Sequence, residues 1–295
     1  MKILLTTDGS EYSEEAAKLL LRFTFAPDDE ITVFHALSWM PAITAWKTLY
    51  DNFQEIKEEI IPRILDSTAD ILRPLGAKIN TSFKEDYPDK AILEASEELD
   101  VDLIAMGARG IRGIGSFIIG SVTKMVAIQS RKAVLIVKPQ KKESPGRLKV
   151  LFATDGSVHS AGAGKMLASL PFPADSELTV LHVLTTAFED IPERYVMEIS
   201  DRIKKIVADA RERELKTSKE IIESSAAPLE ARFSKIENLS MFGDPATEIL
   251  NVARSSKADI IAVGTSGMRG IRGMMGSVSR YILNHSECSV LIGKE

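Results

Sequence analysis

The sequence of this chain is an internal repeat of two similar copies. The segment TTDGS returns as ATDGS, so that Asp8 and Asp155 lie 147 positions apart, and His35 and His182 have the same separation. A repeat of this length is a complete domain, because solenoid units have only about 20 to 50 residues. We therefore predict two tandem copies of one fold, with one candidate site in each copy.

The domain boundaries follow from composition. Residues 140–147 (QKKESPGR) are charged, contain Pro-Gly and have no periodicity, which is typical of a linker. We predict a first domain over residues 1–139 and a second over 148–295. Gly107 and Gly264 are 157 positions apart, so the second copy has ten extra residues, which we expect in its long second helix.

Composition excludes several classes of protein. The net charge is −5 and neither half has an extended basic patch, which argues against nucleic-acid or anionic-membrane partners. The single cysteine, Cys288, rules out an intramolecular disulfide framework, fits a reducing cytoplasm and is expected to serve packing. No run approaches the ~18 apolar residues that cross a bilayer, and MKILLT is too short for a signal-peptide core.

Each copy alternates short apolar runs with longer amphipathic ones. Continuous apolar runs such as DLIAMG and AVLIVK predict a parallel sheet that is covered on both faces. Strands alternating with helices predict a doubly wound α/β domain with five strands, and the third strand of the second copy is expected at Leu229–Ile236. Ligands of such sheets bind outside the carboxyl ends of the strands, where the strand order reverses. The ends to examine are Thr7-Asp8, His35-Ala36 and Met106-Gly107.

A glycine loop follows the fourth strand of the first copy. Gly107 and Gly110 are followed by nine residues, and Gly120-Ser121 then opens a helix. Glycine lets the backbone approach a ligand closely, and a helix start presents unpaired N–H groups that suit phosphate. The chain has neither GxxxxGK[ST] nor GxGxxG. A tight connection alone would also explain these glycines, but their return in the second copy favours a ligand site.

The aspartate of TDGS has two interpretations that are compatible. Asp8 and Asp155 are typical of a turn or helix-cap residue, and each could also contact the adenosine part of a nucleotide.

These motifs together resemble the universal stress protein family over essentially the whole chain, as two tandem domains. The resemblance rests on TTDGS and ATDGS, on FHA and LHV, on GDPATEIL, and on the pattern G-x2-G-x9-G-[S/T]. It implies a five-stranded parallel sheet in each domain and, for a subset of members, ATP or AMP binding. Carried over by position, the nucleotide-binding residues of the first copy are Thr6, Asp8, Ala36, Met106, Gly107, Gly110, Gly120, Ser121 and Val122.

The second copy departs from the pattern because its loop is one residue short. Eight residues separate Gly267 from Gly276-Ser277. One residue can move an amide by up to ~3.5 Å, which is enough to lose a hydrogen bond. The loop could instead re-form around Gly270 or Gly273, so binding in this copy is left open. Its candidate residues are Asp155, Val183, Val263, Gly264, Gly267, Gly276, Ser277 and Val278. A second departure is Thr6 and Ala153, at a position where nucleotide-binding members often have Pro.

The function expected from these observations is that of a nucleotide-binding stress-response or regulatory protein. ATP or AMP acts as ligand more than as substrate, with Mg²⁺ bound only through the phosphates and no metal site formed by the protein. Two alternatives stay open: a slow ATPase or autophosphorylating enzyme, although we assign no catalytic residue, and a ligand-free interaction module.

The last strands of the copies are expected to pair as a pseudo-dimer, with a homodimer also conceivable. The loop arginines, Arg109, Arg112, Arg269 and Arg272, either clamp phosphates or are solvated, and His35 and His182 are expected to be structural.

Overall fold

The structure of the protein is a computed structural model, which describes residues 1–37, 47–110, 119–139, 147–185, 201–267 and 275–294. Most of the expected linker, 140–146, lies outside the described residues. The chain divides into two compact units. The first comprises Met1–Gly146, Ser169–Pro173 and Cys288–Ile292, and the second comprises Arg147–Ala168, Ala174–Glu287 and Gly293–Glu295.

Strands and helices alternate in both copies, as the sequence predicts. The elements of the first copy are β1 (Lys2–Thr6), α1 (Glu11–Leu20), β2 (Glu30–Leu37), α2 (Lys47–Leu72), β3 (Lys78–Glu85), α3 (Pro88–Glu98), β4 (Leu103–Gly107), α4 (Ser121–Gln129) and β5 (Ala133–Val137). Those of the second copy are β6 (Lys149–Ala153), α5 (Val158–Ser169), β7 (Glu177–Leu184), α6 (Asp201–Ala226), a 3-10 turn (Ala227–Leu229), β8 (Lys235–Phe242), α7 (Pro245–Ser256), β9 (Ile260–Gly264), α8 (Ser277–His285) and β10 (Ser289–Gly293).

Strand order in the first unit places the switch point between β1 and β4. The parallel order is β3-β2-β1-β4-β5, so the chain leaves β1 in one direction through β2 and β3 and returns on its other side at β4. Every residue of β4 and β5 is buried, as expected of strands covered on both faces. The doubly wound α/β fold is therefore confirmed.

The last strands of the two copies pair, as expected. β10 runs antiparallel to β5 within the first unit, with Val290 opposite Ile136 and Ile292 opposite Val134. In the second unit, the parallel order β9-β6-β7-β8 repeats the arrangement, with its switch point between β6 and β9.

One expectation about the second copy was wrong. The strand expected at Leu229–Ile236 is β8, at Lys235–Phe242. The apolar residues before it belong to the 3-10 turn, where Leu229 is fully buried, and to the residues just after it. The place of the ten extra residues stays a prediction, because α2 and α6 both have 26 described residues and each directly follows residues outside the described ranges. Ile64 and Ile221 approach the equivalent glycines of the two TDGS turns and are already 157 positions apart, so the insertion precedes them.

None of the helices within the described ranges is both long and apolar enough to cross a membrane.

Candidate functional site

The carboxyl end of β4 and the start of α4 are fastened together in the first unit. The Gly120 N–H donates to the Ala108 carbonyl oxygen at 2.9 Å, and the Thr123 hydroxyl donates to the Gly107 carbonyl oxygen at 3.0 Å. These bonds fix the amino end of α4 beside the switch point, where ligands of doubly wound sheets bind. The Gly120 amide is thus occupied, whereas the Ser121 and Val122 amides of the predicted set have no partner among the described residues and could serve a ligand.

Asp8 lies directly against this loop. Its Oδ1 accepts a hydrogen bond from the Ser10 N–H at 3.1 Å, which closes the TDGS turn. A Cβ placed on Gly110 would lie only 2.2 Å from the Asp8 Oδ2. The turn role expected of Asp8 is therefore present, and its second carboxylate oxygen faces the second glycine of the motif.

The three motif positions are occupied by glycine for different physical reasons. A Cβ on Gly107 would lie 2.6 Å from the Tyr12 carbonyl oxygen, so this glycine lets α1 pack on β4. Gly110 makes room for Asp8. Gly120 has an ordinary extended backbone (φ −61°, ψ 149°), and its Cβ would meet nothing closer than 3.4 Å. Packing of the described residues therefore explains the first two glycines and leaves the third to another cause.

The start of α4 is suited to bind an anion. Its N-cap is Gly120, which offers no side-chain acceptor to the first N–H groups of the helix. Ser121, the first helical residue, is exposed, and Val122 is half-buried. The site thus presents two backbone donors and one hydroxyl at the positive end of a helix dipole.

Three further predicted residues lie at neighbouring strand ends. Thr6 is buried at the end of β1, and Ala36 is partly exposed near the end of β2. Met106 is only 3% exposed, so its side chain belongs to the core and its backbone is what reaches the edge. His35 is also buried, and its Nδ1 donates to the Thr7 carbonyl oxygen at 2.8 Å, which supports the structural role expected for it.

Behind the TDGS turn lies a buried hydroxyl cluster that the sequence reasoning missed. The Thr7 hydroxyl oxygen is 3.1 Å from that of Ser13 on α1 and 2.9 Å from that of Thr68 on α2. Thr154 repeats both contacts with hydroxyl groups of α5 and α6, each at 3.1 Å. The cluster ties the end of the first strand to both flanking helices. Alignment of the two copies would have shown that a hydroxyl residue recurs at each position.

The second unit reproduces the frame of the site despite its shorter loop. The Gly276 N–H donates to the Thr265 carbonyl oxygen at 2.8 Å, and the Ser279 hydroxyl donates to the Gly264 carbonyl oxygen at 2.7 Å. The start of α8 is therefore bonded to the end of β9 just as α4 is bonded to β4. The shortening is confined to residues between Gly267 and Met275, where Gly270 and Gly273 lie outside the described residues.

The remaining candidates of the second unit occupy matching places. Asp155 accepts bonds from the Ser157 N–H (3.0 Å) and hydroxyl (2.6 Å), and its Oδ2 lies 2.8 Å from where a Cβ on Gly267 would be. Val263 is buried and Val183 is half-buried. Ser277 and Val278 open α8 behind the N-cap Gly276, which also has no side-chain cap. A Cβ on Gly276 would lie 3.1 Å from the Ser266 Cα, a tighter contact than at Gly120.

The two sites differ beside the first glycine. Arg109 is only 7% exposed, and its guanidinium carbon lies 5.6 Å from the centre of the Tyr12 ring, in a cation–π contact. Of the two alternatives left open for the loop arginines, the solvated side chain is wrong at this position, because Arg109 is buried and packs on Tyr12 of α1. The residue in the matching place is Ser266, which is uncharged. Arg112, Arg269 and Arg272 lie outside the described residues.

The strand-end histidine of the second unit also has different surroundings. The His182 Nδ1 is 2.9 Å from the Ser218 hydroxyl oxygen on α6 rather than bonded to a strand carbonyl. Burial lowers the pKa of His182, and the negative charge of Asp155 partly opposes this effect.

Comparison with known proteins gives matches to both copies. The model of the universal stress protein family matches residues 1–138 and 146–294. Universal stress protein MJ0531 of Methanocaldococcus jannaschii is 31% identical over 147 residues, which cover 48% of this chain and 84% of that protein. Universal stress protein YxiE of Bacillus subtilis is 32% identical over 154 residues, or 49% of this chain and 97% of that protein.

A solved structure matches the tandem arrangement as a whole. The crystal structure of a universal stress protein from Archaeoglobus fulgidus aligns with a TM-score of 0.64 and 22% identity, covering 99% of this chain and 98% of that one. At this identity the likeness shows the fold alone.

Proposed function

The chain belongs to the universal stress protein family as two tandem domains, and from this premise we propose that it binds an adenine nucleotide, ATP or AMP, in each domain. The nucleotide acts as a ligand more than as a substrate, in a regulatory or stress-response role. Mg²⁺ enters bound to the phosphates. The domains proposed are residues 1–139 and 148–295, joined by 140–147, and the β5–β10 pairing supports a pseudo-dimer within the chain.

The observation that carries this proposal is Gly120. Neither its φ nor its neighbours among the described residues require glycine, yet it stands directly before an uncapped helix start. A side chain there would stand beside the Ser121 and Val122 amides. Glycine at this position is what a phosphate approaching those amides requires.

The donor set is sufficient for useful affinity. Hydrogen bonds to charged groups contribute about 1.5–3 kcal/mol each. Two amides and the Ser121 hydroxyl together come close to the roughly −8 kcal/mol of a micromolar complex, before the adenine and ribose contacts are counted. The equivalent hydrogen bonds of the Gly120 and Gly276 amides, at 2.9 and 2.8 Å, support a second site of the same kind.

Phosphoryl transfer is not favoured by the described geometry. A general base must be free to accept a proton and close to the reacting group. Asp8 Oδ1 is engaged by the Ser10 amide, and His35 donates its Nδ1 hydrogen to the Thr7 carbonyl. Hydrolysis is therefore not part of the proposal.

The proposal is tested by displacement of a fluorescent ATP analogue from nucleotide-stripped protein. We expect Gly120→Val to weaken the first-domain site at least tenfold, because the new side chain stands before the phosphate-binding amides. Gly76→Val is the matched control, since Gly76 lies away from the site and a Cβ there would meet nothing closer than 3.6 Å. Unchanged ATP affinity in Gly120→Val would refute the assignment of this loop.

A further inference from the structure

The second unit has a cavity at the opposite edge of its sheet from the proposed nucleotide site. It lies where β6, β7 and β8 begin and α7 ends, whereas Asp155 and Gly264 follow the carboxyl ends of their strands. Its volume is about 300 Å³. This is at the lower end of the ~300–1,000 Å³ of ligand pockets, so the cavity suits a small ligand.

The walls of the cavity carry three lysines, Lys149, Lys235 and Lys257, against two glutamates, Glu177 and Glu237. Lys149, the first residue of β6, donates to the Ser256 carbonyl oxygen at 3.3 Å and lies 4.0 Å from Glu177. Glu177 in turn is paired with Arg147 at 2.8 Å. Lys235 and Lys257 also line the cavity, and neither side-chain ammonium group forms a hydrogen bond or ion pair within the described parts of the chain. Two lysine ammonium groups are thus left to face the cavity.

The equivalent positions of the first copy carry a different distribution of charge. Asp100 and Lys257 both follow the helix before the fourth strand of their copy and have the same left-handed backbone (φ 46° and 55°), so they occupy equivalent places. Asp100 is paired with Lys132 at 2.6 Å. The second copy therefore reverses the charge at this position, from a paired carboxylate to a lysine on a cavity wall.

A second equivalent position differs in the same region. Asn80 on β3 corresponds to Glu237 on β8, and Asn80 donates a hydrogen bond to Glu30 of β2. Glu177 takes the place of Glu30 but is bound by Arg147 instead. In the first copy these positions are thus joined by contacts among its own residues. In the second copy the matching region is a pocket whose lining includes Lys235, Lys257 and the half-buried Thr179.

We propose that this cavity of the second unit binds the phosphate group of a small phosphorylated molecule through Lys235 and Lys257, with Thr179 as an additional hydrogen-bond donor. Lysine binds phosphate as a compact point charge with three donors, and two such groups match a dianion. Glu237 also lines the cavity, so its negative charge partly offsets that of the lysines and favours a small anion held directly between Lys235 and Lys257. The net charge of −5 argues against nucleic acid as the source. The site is independent of nucleotide binding at the other edge.

The test is an NMR titration of the full chain with inorganic phosphate, in which the amide signals of Thr179, Lys257 and Ala258 are followed. We expect saturable shifts at these amides, distinct from any at Ser121 and Ser277, which report the nucleotide sites. Lys257→Asp introduces the residue of the first copy, and Lys235→Met removes the other charge. Each is expected to weaken phosphate binding at least fivefold.

Lys78→Met is the matched control, because Lys78 begins β3 as Lys235 begins β8, and it should leave the affinity unchanged. The proposal is overturned if the three amides show no saturable shift, or if Lys257→Asp binds phosphate as the wild type does. A parallel titration with succinate tests the ligand chemistry. Equal affinity for succinate would replace phosphate with a carboxylate as the ligand class and so overturn the assignment.

Discussion

Gly107→Ala and Gly120→Val should separate the structural glycine of the motif from the ligand-binding one. The Cβ of Gly107→Ala would lie 2.6 Å from the Tyr12 carbonyl oxygen and 2.7 Å from its carbon, closer than atoms can pack. Both are backbone atoms of α1, so the helix itself must shift. Overpacking of this kind costs about 1–3 kcal/mol, which lowers the Tm of the affected unit by about 2–12 °C.

Gly120→Val should behave in the opposite way. Its backbone (φ −61°, ψ 149°) suits a β-branched residue, and its Cβ meets only ordinary contacts, the nearest being 3.4 Å from the Arg109 Cα. We expect its free energy of unfolding to stay within about 1 kcal/mol of the wild type, while ATP affinity falls at least tenfold, about 1.4 kcal/mol.

For both variants, the Tm is measured by circular dichroism and the ATP affinity by calorimetric titration. The reasoning would be refuted if Gly120→Val melted as low as Gly107→Ala, or if Gly107→Ala melted like the wild type. In the first case the third glycine would serve packing, and in the second α1 would not depend on a close approach to β4.

Three further predictions concern one contact and two titrating side chains. Gly110→Ala places a Cβ 2.2 Å from Asp8 Oδ2 and should destabilise the protein; a urea-unfolding cycle with Asp8→Ala should show coupling of about 0.5–3 kcal/mol, and additive effects would exclude the contact. Burial lowers the pKa of His182, so the contribution of its neutral ring to stability is present above the unfolded pKa of about 6.5 and is lost as the pH falls through the folded pKa. Between about pH 7.5 and 5, the Tm of His182→Gln should therefore fall less than the Tm of the wild type, and equal falls would contradict this. Burial lowers the pKa of Lys294 from 10.5 to about 8, so its ammonium group costs stability at neutral pH. This cost falls as the pH rises above about 8 and is absent only above the unfolded pKa of 10.5. Lys294→Met should therefore raise the Tm at about pH 7 more than at about pH 10, and a pH-independent effect would point to packing instead.

Much of the fold was predictable because strand and helix periods are local properties of the sequence. The continuous apolar runs DLIAMG and AVLIVK contain β4 and β5, as predicted, because strands that are covered on both faces need apolar side chains throughout. β8 was misplaced because it is an edge strand with many exposed residues, and its sequence KIENLSMF lacks a continuous apolar run. Alignment with β3, 157 positions earlier, would have located it.

The place of the candidate site was predictable, but the role of each residue was not. The rule for parallel sheets places the ligand at the ends of β1 and β4, where the glycine loop lies. Which glycine serves packing depends on how closely α1 approaches β4, a distance that loop sequence alone does not contain. Arg109 is buried for the same kind of reason, because Tyr12 on α1 covers it.

The sequence alone also could not show how the one-residue deletion affects the position of the helix start. A missing residue can displace an amide, but the Gly276–Thr265 hydrogen bond keeps the start of α8 in place. The deletion thus leaves the start of the helix in place, and whether the second copy binds a nucleotide stays a prediction.

The most direct test of nucleotide binding by both domains is a calorimetric titration of ATP with Mg²⁺ into nucleotide-stripped protein, analysed for stoichiometry. We predict close to two ATP molecules per chain, because both units hold the amino end of their binding helix in the same way. A value near one would show that the shorter loop disables the second site. No binding of ATP, repeated with AMP, would contradict the proposed function itself.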